Sequence, residues 1–539
     1  MNFFLLTIEN ISNLSFYVVF SPFLLIVLIK KLFFWTWLWQ LKNYHSSRFL
    51  SHFQTNKGKK VVFNFSNAIK LFLLIGTIIM PLYLTVPILF VYIIESALAL
   101  LCFLKKNFKY PKLTIKTGLI LIFGFFLIFL FFSSFKQLSL SDFLFGILLI
   151  DLLSPIIFSL LIFCFWPITF FWQKRLINKA KNKRKKYNNL LVIGITGSYG
   201  KTSTKEFLYE ILCAEYGKHK VLKTEKNQNS EVGISKCILN DLKPHHEIFI
   251  CEMGAYNRGG IKLLCDIAQP KIGILTGINE QHISTFGTQE KIIKTKFELI
   301  DSLPKNGIAI LNWNNELIRR GLVVGSKQLG IRIIKCSTNA EIHNLKIRKQ
   351  SLFFKINNVD FIVNLAGTQN IENLLLAIFC AEELDMTFQE ISKACEKIRP
   401  FEKTMELKQG KGGATIIDDT YSANPKGIIS ALDYLKLYSG LKIVIMPCLI
   451  ELGKESKKVH KEIGEKIGKV CDLAIITTKD YFKEIKKGAI SSEMKSENIL
   501  FLQNPKKIFK IIKPYLKEGN VVLLESRVSK RLIDLLVKN

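Results

Sequence analysis

The stretch LLVIGITGSYGKTSTKEFLYEIL, residues 190–212, reads as a buried strand, a glycine loop and a helix in immediate succession. Apart from Gly194, residues 191–195 are apolar and β-prone, and Gly197 and Gly200 let backbone amides approach an anion. Lys201 then opens a helix whose N-terminal dipole favours negative charge. The stretch predicts a phosphate cradle built from Gly197, Ser198, Gly200, Lys201, Thr202 and Ser203, with Lys201 reaching β/γ-phosphate oxygens and Thr202 ligating Mg²⁺. The commonest nucleotide loop has glycine six residues before the lysine; here that position is Ile195, and Gly194 sits one residue further back.

Upstream of the loop the composition changes. Up to Tyr187, 22 Lys and Arg stand against four acids, Glu9, Glu95, Asp142 and Asp151, so more than half of the net charge of +32 falls in the first third of 539 residues. The same third holds the long apolar runs 16–29, 71–104, 119–132 and 143–172, which read as membrane spans. Basic residues cluster in 30–60, 105–116 and 174–186; placing all three on the cytoplasmic side requires a hairpin within 71–104, at Pro81 or Pro87. The expectation is a membrane region over 1–187 with about five transmembrane helices, the N-terminus outside and everything after Trp172 inside. Basic runs that flank apolar spans are explained by membrane topology, so no nucleic-acid partner is expected. Eleven scattered cysteines without a CxxC pair indicate neither a zinc ribbon nor a dithiol redox site and fit reduced cytosolic thiols.

Downstream, β-type runs alternate with helical patterns: IFICEMGA, KIGILTGI and GIAILNW, then LKIVIMP, LAIITT and NVVLLES. This alternation predicts α/β architecture with largely parallel sheets, in two units over 188–399 and 400–539 that join near Arg399 and Pro400. The only biased segment is a Lys/Asn-rich connector at 178–189. Glu252 ends one strand and His282 follows the next, at the edge where open α/β sheets bind ligands. A carboxylate and an imidazole beside a phosphate loop suit a divalent metal, with Thr202 in the same coordination sphere.

TGSYGKTS, EMGAYNRGGI, TGINEQHISTFGT, KTKFEL, GTQNIEN, IDDTYSANPKG and IELG follow in order, and in this series residues 188–539 resemble the Mur ligases. The resemblance implies a P-loop central domain and a Rossmann-like C-terminal domain, behind what reads here as an all-α transmembrane region. It also implies an ATP-dependent amide ligase of peptidoglycan precursor synthesis: ATP phosphorylates a muropeptide carboxylate, and a D-Ala-D-Ala-like dipeptide or other amine attacks the acyl phosphate. By motif position, Lys201, Lys296 and His282 are the catalytic candidates, and Thr202, Glu252, His282 and Lys296 hold Mg²⁺, Lys296 as a carbamate. Asn370 and Asn373 match adenine contacts; Asp419 matches a ribose or nucleotide contact, with Asn424 in support.

Departures from the family pattern are local. Gln369 stands where the HNxxN motif has His, Ser230 replaces the second Asn of an NxNN run, and Gly260 falls where GEI is common. Thr404 occupies the place of an arginine that serves ATP phosphates, for which Lys403 and Arg399 are the substitutes at hand. LLESR at 523–527 lacks the KGSR pattern, although Ser526 and Arg527 align. The larger departure is at the front, where the family carries a soluble domain for the UDP-sugar and this chain carries apolar spans. The acceptor is therefore expected to be UDP-linked or lipid-linked at a membrane, on an integral protein of the cytoplasmic membrane with its catalytic part in the cytoplasm and membrane lipid among its partners. Other acceptors of this fold, folylpolyglutamate or cyanophycin-like, and a non-catalytic nucleotide-binding scaffold are the alternatives.

Overall fold

A computed structural model describes the backbone of all residues except 1, 54, 135–138, 226–227, 256, 280–282, 326–329, 422–423, 451 and 539. Side chains are likewise described except at those positions and at 2–17, 47–48, 51, 56–57, 82, 284–285, 324–325 and 369. The chain folds as two compact units, Met1–Lys174 and Arg175–Asn539.

The first unit is helical. Val18–Leu41, Thr85–Leu104, Ile115–Ser134 and Leu140–Cys164 are long and apolar enough to cross a membrane, and Phe65–Ile79 is a shorter apolar helix. The apolar run 71–104 is divided between Phe65–Ile79 and Thr85–Leu104. Pro81 lies in the break, as expected where a ring removes an N–H and disfavours helix for the residue before it. Burial in this unit is inverted relative to a water-soluble domain: Phe72, Ile78, Phe103 and Phe129 point outward, while Lys70, Thr117 and Asp151 are buried. Lys30 and Lys31, which in sequence begin a basic segment, lie inside the helix Asn2–Leu41 rather than in a loop.

The second unit contains two six-stranded sheets and a small antiparallel one. The first sheet is built from β1 (Leu191–Thr196), β2 (Val221–Lys223), β3 (Ile248–Glu252), β4 (Ile272–Leu275), β5 (Ile308–Asn312) and β6 (Arg332–Cys336), all parallel, in the order β2-β3-β1-β4-β5-β6. Its central strands β1, β3, β4 and β5 are mostly apolar and buried on both faces, whereas the edge strands β2 and β6 carry Lys223, Arg332 and Lys335. β1 lies between β3 and β4, so the connections leaving its C-terminal end and those of its neighbours open around one crevice.

Next comes a three-stranded sheet over β7 (His343–Ile347), β8 (Leu352–Ile356) and β9 (Val359–Val363), an antiparallel element that the expectation of largely parallel sheets does not include. Its tight turn is Asn357-Asn358, both at positive φ (46° and 62°), the pairing that two-residue hairpins favour. The last sheet, β10 (Glu406–Gln409), β11 (Thr415–Asp419), β12 (Lys442–Met446), β13 (Leu473–Ile476), β14 (Ile499–Phe501) and β15 (Val521–Glu525), runs in the order β10-β11-β15-β12-β13-β14, with β10 an antiparallel edge. The Lys/Asn-rich connector is largely helical, forming the end of the helix Trp166–Arg184. Arg184 anchors it: the guanidinium donates to the carbonyls of Ala268 (2.9 Å), Tyr187 (2.8 Å) and Leu190 (3.1 Å), a fork that a flexible linker would not order.

Candidate functional site

The loop between β1 and the helix Lys201–Tyr216 is drawn tight by backbone geometry. Gly200 has φ 82°, and a Cβ there would come within 2.2 Å of the Asn373 amide oxygen, so only glycine lets the loop lie against the helix Gln369–Glu382. The Ser198 amide donates to the Gly277 carbonyl (2.6 Å), which ties the loop to the end of β4. Lys201 folds back over the loop and donates to the carbonyls of Gly197 (2.8 Å) and Ser198 (3.3 Å). Burial pulls its pKa down, against the pull of the Glu252 carboxylate, which places the ammonium among groups that leave it under-solvated and ready to meet an anion.

Glu252, 6% exposed at the end of β3, is held from both sides. Its Oε2 accepts from the Thr202 hydroxyl (3.0 Å) and pairs with the buried Lys205 (3.6 Å), and its Oε1 accepts from the Asn229 amide (3.0 Å). Thr224 fixes the backbone beneath: its hydroxyl accepts from the Glu252 N–H (3.0 Å) and its carbonyl from Lys205 Nζ (2.8 Å). Lys296, on the helix Gln289–Asp301, is buried, and desolvation together with the nearby Lys201 charge lowers its pKa to about 7. An amine so placed is about half neutral at pH 7 and is a nucleophile there, unlike a surface lysine. His282 lies outside the described residues.

A cleft of about 270 Å³ adjoins this group, and six of the residues singled out in sequence line it: Gly200, Ser203, Asn370, Asn373, Asp419 and Asn424. Tyr199, Thr404, Glu372 and Lys426 add to its polar wall, with Thr338, Thr368 and Ser430. Arg399 and Lys403 do not line it: Arg399 donates to the Glu396 and Ile398 carbonyls, and Lys403 pairs with Glu402. The cation in the cleft is Lys426, which follows Pro425 in the first turn of the helix Pro425–Tyr434. Its ammonium meets both Glu372 oxygens (3.0 and 3.1 Å) and the Tyr199 hydroxyl (3.3 Å). Burial alone would lower its pKa, but Tyr199 and Glu372 outweigh that and hold it above the ordinary lysine value. Glu372 in turn accepts from Asn312 (2.9 Å), whose amide also reaches the Thr276 carbonyl behind the phosphate loop (2.6 Å).

Other candidates carry structural duties as well. Asn424 caps the helix Pro425–Tyr434 by accepting from the Gly427 amide (2.9 Å), and Asn370 donates to the Ala366 carbonyl (2.9 Å). Asp418 and Asp419 point to opposite sides of β11: Asp418 pairs with Lys408 (2.6 Å), whereas Asp419 reaches the cleft and accepts from the Met405 amide (3.1 Å). Asp419 is the register partner of Glu525 on β15. Burial raises both carboxyls: Asp419 to about 7, although hydrogen bonds from the Met405 amide and Glu525 pull it down, and Glu525 well above the carboxylate range, where the Asp419 charge pushes it further, so the pair keeps a proton at neutral pH. Lys426, Glu372 and Tyr199 were not singled out from sequence. The signal available was the lysine directly after the DTYSANP motif, but nothing local names Glu372 as its partner.

The donors fit the groups that the loop implies. A hydroxyl and a carboxylate 3.0 Å apart, Thr202 and Glu252, are hard oxygen ligands of the kind Mg²⁺ takes when phosphates and waters complete its shell. No cluster of three or more His, Cys, Asp or Glu is found among the described residues, which do not include His282.

Residues 195–381 match the family model of the Mur ligase middle domain, and residues 405–527 that of the Mur ligase, glutamate ligase domain. A UDP-N-acetylmuramoyl-tripeptide–D-alanyl-D-alanine ligase of Synechocystis is 31% identical over 277 residues, 51% of this chain and 59% of that protein. Its counterpart in Bacillus subtilis is 24% identical over 348 residues, 64% of this chain and 74% of that protein. The chain thus spans less than two thirds of the length of the first of these relatives. The crystal structure of the MurF ligase of Thermotoga maritima in complex with ADP is similar with a TM-score of 0.59 at 27% identity, covering 67% of this chain and 83% of that one. Residues 1–194 lie outside both family models.

Proposed function

We propose, for a chain that carries the middle and C-terminal domains of the Mur ligase family, that it is an ATP-dependent amide ligase of peptidoglycan precursor synthesis. It would join a D-Ala-D-Ala-like amine to a muropeptide carboxylate. The observation that carries this reading is the shared cleft, where the phosphate loop, the Asn370/Asn373 helix and the DTYSANP motif meet although they are far apart in sequence.

In this reading the nucleotide base sits by Asn370 and Asn373, the ribose by Asp419, and the phosphates on the loop from Gly197 to Ser203. The acceptor carboxylate attacks the γ-phosphorus, ADP leaves, and the amine then displaces phosphate from the acyl carbon. Lys201 would exchange the loop carbonyls it now caps for phosphate oxygens, a swap in which only the bound state presents full negative charge to the ammonium. Lys426 supplies the cleft cation in a chain with Thr404 at the place of the family arginine. Thr202, Glu252 and a carbamate on Lys296 would hold Mg²⁺, which when bound neutralises charge developing on the transferred phosphoryl group. The lowered pKa of Lys296 favours the free amine that carbamate formation with CO₂ requires.

The four apolar helices support an integral membrane protein whose acceptor is membrane-proximal, UDP-linked or lipid-linked. The test is acceptor-dependent ADP release by the full-length protein in detergent, with UDP-linked and lipid-linked muropeptides, each with D-Ala-D-Ala, against Lys201→Ala. Release that vanishes in the variant supports the ligase, and the acceptor that gives it identifies the substrate. Release from both acceptors at equal rates removes the lipid-specific form. Silence with both sinks the reading.

A further inference from the structure

The first unit buries more charge than an anchor requires. Lys70, fully buried on the helix Phe65–Ile79, pairs with both Glu95 of Thr85–Leu104 and Asp151 of Leu140–Cys164. Lys31 pairs with Asp151 as well, also donating to its backbone carbonyl (3.0 Å), and the Tyr92 hydroxyl donates to Asp151 Oδ2 (3.1 Å). Glu95 and Asp151 lie near the middle of their helices, away from either end at which a charged side chain could reach water. Two cations and two anions balance here.

Lys30 does not balance. It is half-buried beside Lys31, and among the described residues it makes no ion pair. It faces a cavity of about 270 Å³ whose wall also includes Lys31, Asn67, Phe34, Trp35 and Pro155. The cluster therefore carries one net positive charge next to open space, in surroundings where an uncompensated charge is costly. Lys31 directs its contacts to Asp151 alone, which leaves an ammonium N–H for another acceptor.

We propose that this cavity binds a phosphate-bearing anion, with Lys30 as the cation that recognises it; the proposal rests on the membrane reading given above. A lysine is a point charge suited to phosphate, the anions of a lipid bilayer are phosphates carried on apolar chains, and Phe34, Trp35 and Pro155 offer an apolar wall beside the charge. Glu95 and Asp151 do not repel the ligand because each is already neutralised by Lys31 or Lys70. The substrate or effector class assigned to the unit is thus a lipid phosphate or free phosphate, which share this chemistry.

The experiment uses the full-length protein in neutral detergent and needs neither ATP nor acceptor, so its outcome is separate from that of the ligase assay. Dodecyl phosphate, dodecanol and inorganic diphosphate are titrated by calorimetry. Saturable binding of dodecyl phosphate, absent with dodecanol, is expected; Lys30→Gln should weaken it about tenfold, the loss of one charge-assisted contact, and Lys30→Arg should keep it. Equal Lys30-dependent binding of diphosphate supports the site and identifies free phosphate as its source. Dodecyl phosphate that binds wild type no better than dodecanol overturns the proposal whether or not the variant folds, as does affinity unchanged in a folded Lys30→Gln.

Discussion

Two largely parallel sheets in the second unit each end a strand on a carboxylate, and the two are treated in opposite ways. Glu252 on β3 is met by a hydroxyl, an amide and a buried ammonium, which fix its oxygens at the sheet edge beside the glycine loop. Asp419 on β11 faces a second carboxylate, Glu525, with a backbone amide as its donor, so burial keeps a proton on the pair. In the proposed reaction the first edge would concentrate charge at transferring phosphates. In the same reading the second would hydrogen-bond a neutral group such as a ribose hydroxyl. The same topological position thus serves two chemistries, and the difference lies in which residue the neighbouring strand or loop supplies.

The largest effects should come from breaking the charged edge. Lys201→Ala is expected to reduce acceptor-dependent ADP release by about 10²–10³-fold, the scale for loss of a preorganised electrostatic contact, with little change in stability because Lys201 meets only loop carbonyls. Glu252→Ala should cost a similar factor and also destabilise, by less than the about 3–5 kcal/mol of a fully broken buried pair, since the buried Lys205 loses Glu252 but keeps Glu206 (3.1 Å). Melting curves beside turnover separate the two variants. Equal stability loss in both would break the contrast between a residue poised for ligand and one that also holds the fold. Lys296→Arg places a permanent cation there and forms no stable carbamate, so the ¹³CO₂-derived carbamate resonance expected of wild type should vanish along with activity.

A smaller effect tests the join between the two edges. Lys426→Met removes the ammonium that meets Glu372 and Tyr199 while keeping much of the side-chain length. The pair is partly exposed, so stability should change by no more than about 1 kcal/mol. KM for ATP should rise about tenfold, as for one lost charged contact, with kcat less affected. An unchanged KM would show that Lys426 is only a bridge between helices.

What could be read in advance follows the same division. The charged edge was legible because its parts are local: a glycine loop, a lysine at a helix start, and a strand that ends on Glu252. The neutral edge was legible only in half. Asp419 stands in a recognisable motif, but Glu525 was visible merely as a departure from KGSR, because its meaning comes from β15 inserting between β11 and β12, a strand order that no local pattern states. Lys426 and Glu372 likewise meet through tertiary packing. The antiparallel sheet carried a usable sign in Asn357-Asn358, whereas the burial of Arg184 in a Lys-rich helix runs against composition and depends on three distant or nearby carbonyls.

The smallest expected effect is the one that isolates the neutral edge. The folded pKa of Asp419, about 7, lies above its unfolded value, so between those values the folded state binds more protons and stability falls as pH rises through that window. Asp419→Asn retains the oxygen that accepts from Met405 and removes one ionisable partner, so the variant should gain on wild type as pH goes from 5 to 8. Hydrogen exchange of the β11 and β15 amides, compared at each pH so that intrinsic rates cancel, reads this locally. Protection in the variant should exceed that of wild type at pH 8 and approach it at pH 5. The gain should be partial, because burial alone continues to oppose ionisation of Glu525. A variant advantage that is the same at both pH values would mean that Asp419 and Glu525 do not share a proton, and the two sheet edges would then differ in burial rather than in charge.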